Sequence, residues 1–325
     1  MDKLKKNIRK RTERIRLIVQ TLFFIVTNSF AIGYIKGGIY QGKLKQLCVP
    51  GLNCYSCPGA VGSCPIGALQ SVLNKRDFSI SETTGELVMT PTYHISFYII
   101  GLVMMFGAVF GRFICGFLCP FGLVQDLLHK IALPKKLKIR TFKGDKQLRY
   151  LKYVVLAVMV IGLPLFASAD PYFCKYVCPS GTLLGGIPLL SLNEGLRESA
   201  GLLTAFKLSI LAVIILASIM IYRPFCKYLC PLGAMYSIFN PFSLYRYYVD
   251  EKLCNNCGAC TRACRMGIDI RKTPNNLECI RCGDCKAACP QHAVCSGFGR
   301  KPEHKEAEEL SLIHISEPTR LGMIS

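Results

Sequence analysis

Eight cysteines in two matched runs constrain this chain more than any other feature. Cys254-x-x-Cys257-x-x-Cys260-x-x-x-Cys264 is followed by Cys279-x-x-Cys282-x-x-Cys285-x-x-x-Cys289-Pro290. The short x-x steps let three thiolates converge on one iron-sulphur cubane, while the fourth cysteine of each run reaches the other cubane. The spacing assigns Cys254, Cys257, Cys260 and Cys289 to one [4Fe-4S] cluster, and Cys279, Cys282, Cys285 and Cys264 to a second. Arg265 stands where proline commonly follows the first run, yet all four thiols remain. Paired zinc sites fit less well, because structural zinc takes two Cys-x-x-Cys pairs separated by a longer loop. Gly258 and Gly283 suit either a close backbone approach to a cluster, with amides that tune the sulphurs, or plain turns. Such a module carries no nucleophile, base or substrate pocket, so single-electron transfer is the chemistry it permits.

The rest of the 325 residues point to a membrane. Hydrophobic residues make up 51% and charged residues 18%, and the mean hydropathy is +0.34, too apolar for an ordinary soluble chain. A bilayer core of about 30 Å takes roughly 20 apolar residues in a helix. Four stretches qualify: Leu17 to Ile35, Ile95 to Ile114, Tyr153 to Ala169, which contains Pro164, and Leu202 to Tyr222, which contains Lys207. The net charge of +20 reads as topology and not as nucleic-acid binding, because Lys and Arg collect in cytoplasmic loops. Eight basic residues lie between Lys3 and Arg16, five between Lys36 and Tyr93, nine between Lys130 and Lys152, and two between Asp170 and Ala200. This alternation predicts a cytoplasmic N-terminus, 115–152 loop and post-Tyr222 region, with the 36–93 and 170–200 loops outside. The first apolar stretch lacks a small-residue cleavage site, so it is expected to remain as an anchor.

A second cysteine pattern lies inside this membrane region. Cys64-Pro-Ile-Gly, Cys119-Pro-Phe-Gly, Cys178-Pro-Ser-Gly and Cys230-Pro-Leu-Gly are four copies of one tetrapeptide, each leading into an apolar run. Cys64 and Cys178 are 114 residues apart, and Cys119 and Cys230 are 111 apart, which predicts two tandem halves. Cys115, Cys174 and Cys226 each stand four residues before one of these cysteines, a spacing that puts both thiols on one face of a helical turn. Proline at the first helical position makes the second cysteine an N-cap, where the helix dipole stabilises a thiolate. Arg112, Lys175, Arg223 and Lys227 lie beside these motifs, as compensating charges or as interfacial anchors. Sidedness groups Cys115, Cys119, Cys226 and Cys230 at an inner site. Cys54, Cys57, Cys64, Cys174 and Cys178 form an outer site, with Cys48 nearby. Further clusters, thiol redox pairs, disulfides, and haem or other metal ligation all remain open for these thiols.

The expected fold is thus a mainly α membrane protein: a four-helix transmembrane bundle of two tandem halves plus a small α+β bacterial 2[4Fe-4S] ferredoxin-like domain. The boundaries read as a basic cytoplasmic arm over 1–16, a membrane domain over 17–245, the ferredoxin-like domain over 246–299 and a tail over 300–325. The tail has no core pattern, and Leu310 to Arg320 looks like a translated cloning adapter.

The stretches Gly111-Arg-Phe-Ile-Cys-Gly-Phe-Leu-Cys-Pro-Phe-Gly and Tyr222-Arg-Pro-Phe-Cys-Lys-Tyr-Leu-Cys-Pro-Leu-Gly, followed by the doubled run, closely resemble the NapH and NosR type of membrane polyferredoxin. The likeness covers about residues 15–295. It implies a quinol-linked protein of the bacterial inner membrane that passes electrons between the quinone pool, the cytoplasmic ferredoxin module and redox proteins outside. The large flavin-binding domain of the NosR type is missing, so any flavin would come from a partner. The Cys54, Cys57 and Cys64 group and the third Cys-x-x-x-Cys-Pro motif exceed the NapH pattern. The first expectation is therefore an electron-transfer subunit of a quinol-linked oxidoreductase system. The alternative is an assembly, maturation or regulatory factor for a partner metalloenzyme. His94 and His129 are candidate quinone contacts, or simply satisfied polar groups.

Overall fold

From Asp2 to Thr27 the chain has neither glycine nor proline, and it forms one 26-residue helix, α1. The structure is a computed structural model that describes residues 2–73, 76–80, 87–91, 97–131, 138–166 and 170–299. His94 and the 300–325 tail lie outside the described residues. Helix α1 runs straight through the expected boundary at residue 17, because its basic half is docked: Arg16 is 3% exposed and Gln20 1%.

The Cys-Pro-x-Gly copies each start a helix. Pro65–Leu73 is α2, and an antiparallel hairpin of β1 (Arg76–Ile80) and β2 (Leu87–Pro91) follows, with Arg76 opposite Pro91 and Ile80 opposite Leu87. Next come α3 (Phe97–Phe110), α4 (Phe113–Phe117) and α5 (Pro120–Lys130). The second half supplies α6 (Asp145–Phe166), a run of helical turns over 179–192, α7 (Leu202–Met220), α8 (Pro224–Tyr228) and α9 (Pro231–Phe239). Proline cannot donate a backbone hydrogen bond, and α6 accommodates Pro164 by widening into π turns over Leu156–Gly162.

Among the described residues two helices, α6 and α7, are long and apolar enough to cross a membrane. The other two expected spans are shorter as helices. In the first, α1 stops at Thr27, whose hydroxyl bonds the Phe23 carbonyl at 2.8 Å, and Ala31–Lys36 forms a separate helix. In the second, α3 stops at Phe110, because Gly111 turns with φ of 55° and sends Arg112 inward, where it is fully buried. Around these helices α1 packs on α5, α5 on α7, and α9 on both α3 and α6.

The C-terminal module is closed by β3 (Tyr245–Val249) and β4 (Val294–Phe298), antiparallel with Tyr245 opposite Phe298 and Val249 opposite Val294. Both cysteine runs lie between these strands, with α10 (Ala259–Ala263) in the first and α11 (Asp284–Ala288) in the second. Helix α11 packs on α10 and on α1, so the module sits against the N-terminal helix and is not held only by its tether.

Candidate functional site

The two ferredoxin-type runs fold as local copies. Asn256 and Arg281 each take a left-handed backbone, with φ of 55° and 54°, and Gly258 and Gly283 follow with φ of 70° and 85°. Each glycine is the N-cap of the short helix after it, a conformation that costs other residues energy. Cys264, Cys279, Cys282 and Cys285 come together and line one small pocket with Met266, Ile268, Ile270 and Ile280. The other set lies nearer the surface: Cys260 is buried, Cys254 and Cys289 are half-buried, and Cys257 is exposed.

All nineteen cysteines are unpaired. Burial pushes the Cys279 thiol up to about 11 and the Cys282 thiol up to about 12, values at which these sulphurs ionise only with a cation to hold. Among the described residues, no three His, Cys, Asp or Glu side chains converge on a single-ion position. An all-thiol set around a closed apolar pocket fits a cubane, which takes thiolates at its corners.

The inner membrane cysteines also gather. Cys230 lies within electrostatic reach of Cys226, Cys115 and Cys119, and all four are buried. Cys119 and Cys230 are N-caps with proline at the first helical position, and Cys230 Sγ accepts the Gly233 amide at 3.3 Å. The glycine of the tetrapeptide has a second use. A Cβ on Gly233 would lie 3.4 Å from Arg112 Nη2, and one on Gly122 would lie 3.3 Å from Arg223 Nη1. The arginines cross between halves: Arg112 donates to the Cys226 carbonyl at 3.2 Å, and Arg223 donates to the Cys115 carbonyl. Each crossed arginine shares one acid with a second cation. Glu278 accepts from Arg112 at 2.7 Å and also from Lys152. Asp126 accepts from Arg223 at 2.8 and 2.5 Å, with Arg16 at 3.6 Å. Each group of one acid and two cations therefore carries one surplus positive charge beside the four thiols.

Arg112 and Arg223 are fully buried and Lys227 is 1% exposed. These three are thus internal charges, not anchors reaching for an interface. Lys227 is paired with Asp145 at 2.5 Å. Lys175 differs, since it forms a surface pair with Asp170 at 2.8 Å.

The outer cysteines Cys54, Cys64, Cys174 and Cys178 line a single cavity of about 1120 Å³, and Cys178 Sγ accepts the Gly181 amide at 3.4 Å. Cys57 turns elsewhere, bonded to Tyr34 Oη at 3.2 Å and to Asn28 Oδ1 at 3.5 Å.

Sidedness predicts the two membrane groups on opposite faces, but the structure brings them together. Leu52 and Asn53 line the cavity that holds Cys64 of one group, and the preceding Gly51 abuts Cys119 of the other. Gly51 makes the approach possible, because a Cβ there would lie 2.6 Å from the Leu118 carbonyl. Tyr236, fully buried and bonded to the Pro50 carbonyl at 3.0 Å, lies within reach of Cys115 and Cys119 on one side and Cys64 and Cys48 on the other.

The ferredoxin-type module joins this centre at the inner quartet. A Cβ on Gly116, between Cys115 and Cys119, would lie 2.4 Å from the carbonyl of Ile280, between Cys279 and Cys282. Polar bonds lock the contact. Asn240 Nδ2 donates to the Cys279 carbonyl at 2.9 Å, and Arg281 donates to the Phe110 carbonyl at 2.7 Å and to Ser243 Oγ at 2.6 Å. Gln125 Nε2 points at Cys226 Sγ at 3.1 Å. Sequence reasoning missed Glu278, Asp126, Lys152, Asn240, Arg281, Gln125 and Tyr236. The available signals were an acid directly before Cys279 and a second acid inside the apolar run after Cys119. The candidate His129 is bonded to the Ser218 carbonyl at 3.3 Å and stacks edge-on with Tyr222.

A family model described as a 4Fe-4S binding domain matches residues 94–140, 151–196 and 203–244. These segments contain Cys115, Cys119, Cys174, Cys178, Cys226 and Cys230 but neither Cys54 and Cys64 nor the doubled run. An uncharacterized protein of Methanocaldococcus jannaschii is 31% identical over 64% of this chain and 72% of its own length. The putative electron transport protein YccM of Escherichia coli is 27% identical over 78% of this chain and 68% of its own. The ferredoxin-type protein NapH of Haemophilus influenzae is 29% identical over 58% and 64%. No solved structure matches. Two ferredoxin-type cysteine runs, a 4Fe-4S domain match on the membrane cysteines and these relatives lead to one conclusion: the chain belongs to the NapH and NosR type of membrane-associated, ferredoxin-type electron transport proteins.

Proposed function

We propose that this chain is an inner-membrane relay for single electrons, running from the ferredoxin module through the Cys115, Cys119, Cys226 and Cys230 quartet to the outer cysteines. The module holds two [4Fe-4S] clusters, one on Cys254, Cys257, Cys260 and Cys289 and one on Cys264, Cys279, Cys282 and Cys285. The inner quartet holds a third. Each cluster, when bound, takes up and releases one electron while its thiolates stay in place. The protein's own part is to fix the spacing and the charge. Gly116 lets the module dock backbone to backbone, and Glu278 ties it to Arg112 and Lys152. The surplus cation in each of the two acid-centred groups, Arg112–Glu278–Lys152 and Arg223–Asp126–Arg16, offsets the negative charge that four thiolates bring into a buried site. The observation that carries this reading is the close approach of the two membrane groups at Gly51, where a Cβ would lie 3.1 Å from Cys119 Cα while the next residues, Leu52 and Asn53, line the cavity of Cys64.

In this reading four apolar segments span the bilayer, with the N-terminus and module in the cytoplasm, as the alternation of Lys and Arg favours. The far end exchanges electrons with the quinone pool or with a redox partner such as a flavin-binding protein. Iron and acid-labile sulphide counted on oxygen-free purified protein test the proposal. More than about eight irons per chain, with additional signals in electron paramagnetic resonance of the reduced protein, are expected. A count of about eight leaves the membrane thiols without clusters and defeats the relay.

A second reading draws on relatives named regulatory protein NosR in Stutzerimonas stutzeri and Pseudomonas aeruginosa. Here the electrons serve maturation or regulation of a partner metalloenzyme. Sustained quinol-linked turnover by reconstituted protein with an external acceptor separates the two, because only the first reading requires it.

A further inference from the structure

The outer group offers six thiols, more than one cluster can use, and the packing distinguishes among them. Cys54, Cys64, Cys174 and Cys178 line one cavity, and each lies within electrostatic reach of the other three, Cys54 also of Cys57. The set spans both tandem halves, as the inner quartet does. A Cβ on Gly67, three residues after Cys64, would lie 3.8 Å from Cys174 Sγ, and one on Gly181, three residues after Cys178, would lie 3.6 Å from Cys54 Sγ. Cys54 thus takes the place in the first half that Cys174 takes in the second, although no Cys-x-x-x-Cys spacing marks it.

The Gly181 amide donates to Cys178 Sγ at 3.4 Å. Amides directed at sulphur favour the thiolate and set its electronic properties when metal is bound. Lys45 and Lys207 both lie within reach of Cys54, and Lys207 also of Cys174, so two cations face this quartet just as two surplus cations face the inner one. The remaining thiols are engaged locally. Cys57 is bonded to Asn28 Oδ1 at 3.5 Å and to Tyr34 Oη at 3.2 Å and does not line the cavity. Cys48 lines it but is bonded to Ser63 Oγ at 3.6 Å.

We infer that Cys54, Cys64, Cys174 and Cys178, and neither Cys57 nor Cys48, hold one iron-sulphur cluster at the far end of the relay. This rests on the reading that the membrane thiols are cluster ligands. The test is iron and labile sulphide quantitation with electron paramagnetic resonance on the full-length, oxygen-free protein and six alanine variants. Cys54→Ala, Cys64→Ala, Cys174→Ala and Cys178→Ala are each expected to lose about four irons relative to the unaltered chain, together with one resonance, while the ferredoxin-module signals persist and report a folded chain. Cys57→Ala and Cys48→Ala are expected to keep the full iron content. Iron loss in Cys57→Ala or Cys48→Ala overturns the assignment even if a ligand variant accumulates poorly, and full retention in Cys54→Ala overturns it equally. An unaltered chain with only about eight irons instead sinks the underlying reading, so the two failures are told apart.

Discussion

Glu278 is the residue on which the module and the membrane domain meet electrically. Burial works against its carboxylate, but Arg112 and Lys152 more than offset this and hold it below its ordinary value of 4.5. A carboxylate depressed in the folded state contributes stability that is fully present above the unfolded value and is lost as pH falls through the folded one. Acidification below pH 4.5 should therefore weaken the docked state. Replacing Glu278 with Gln leaves two buried cations facing no counter-charge, which costs about 3–5 kcal/mol at neutral pH. Thermal melts of the detergent-solubilised chain as a function of pH should show that loss and a flatter acid limb. An unchanged acid limb in Glu278→Gln would mean another group governs it. Glu278 was legible as a residue beside a cluster cysteine, but its partners were not, because they come from positions 126 and 166 residues away in the chain.

At the scale of elements, the short turns around the cysteines do what the long helices cannot. The turn from α4 into α5 carries Cys115, Gly116 and Cys119, and its glycine faces the Ile280 carbonyl. Gly116→Val should push the module off this turn at a cost of about 1–3 kcal/mol. Iron content should hold while electron passage from the module to the membrane clusters slows, read by stopped-flow reduction; unchanged transfer would remove this contact from the path. Helix α9 contributes Tyr236 between the two membrane groups. Tyr236→Leu, of lesser size and without the ring, should leave both groups loaded but slow exchange between them in the same assay. The Cys-Pro-x-Gly repeat was legible because proline and N-cap preferences are local. The reciprocal crossing of Arg112 and Arg223 was not, since it joins opposite halves.

For the whole molecule, the module is small: two five-residue strands and two five-residue helices around eight cysteines. So small a unit buries little apolar surface for its length, and bound metal contributes directly to its folding. Protein made under iron limitation should lose protease resistance across about residues 245–299, while fragments containing α6 and α7 persist. Equal resistance with and without iron would show that the module folds on its own thiols. The apolar character of the chain was legible, but the breaks in its expected spans at Thr27 and Gly111 were not, because hydropathy does not register where a chain must turn inward, as at Gly111, to bury an arginine.

Cysteine spacing by itself marked the two module quartets as candidate ligands, the repeated helix starts and the family, because convergence on a cubane and capping of a helix both act over a few residues. Only the tertiary structure decided that the inner and outer thiols adjoin, that Cys54 joins Cys64, Cys174 and Cys178 while Cys57 turns away, and that buried arginines cross between halves. Those outcomes depend on how distant segments pack, and close approach at Gly51 and Gly116 is a property of the assembled backbone that no local pattern encodes.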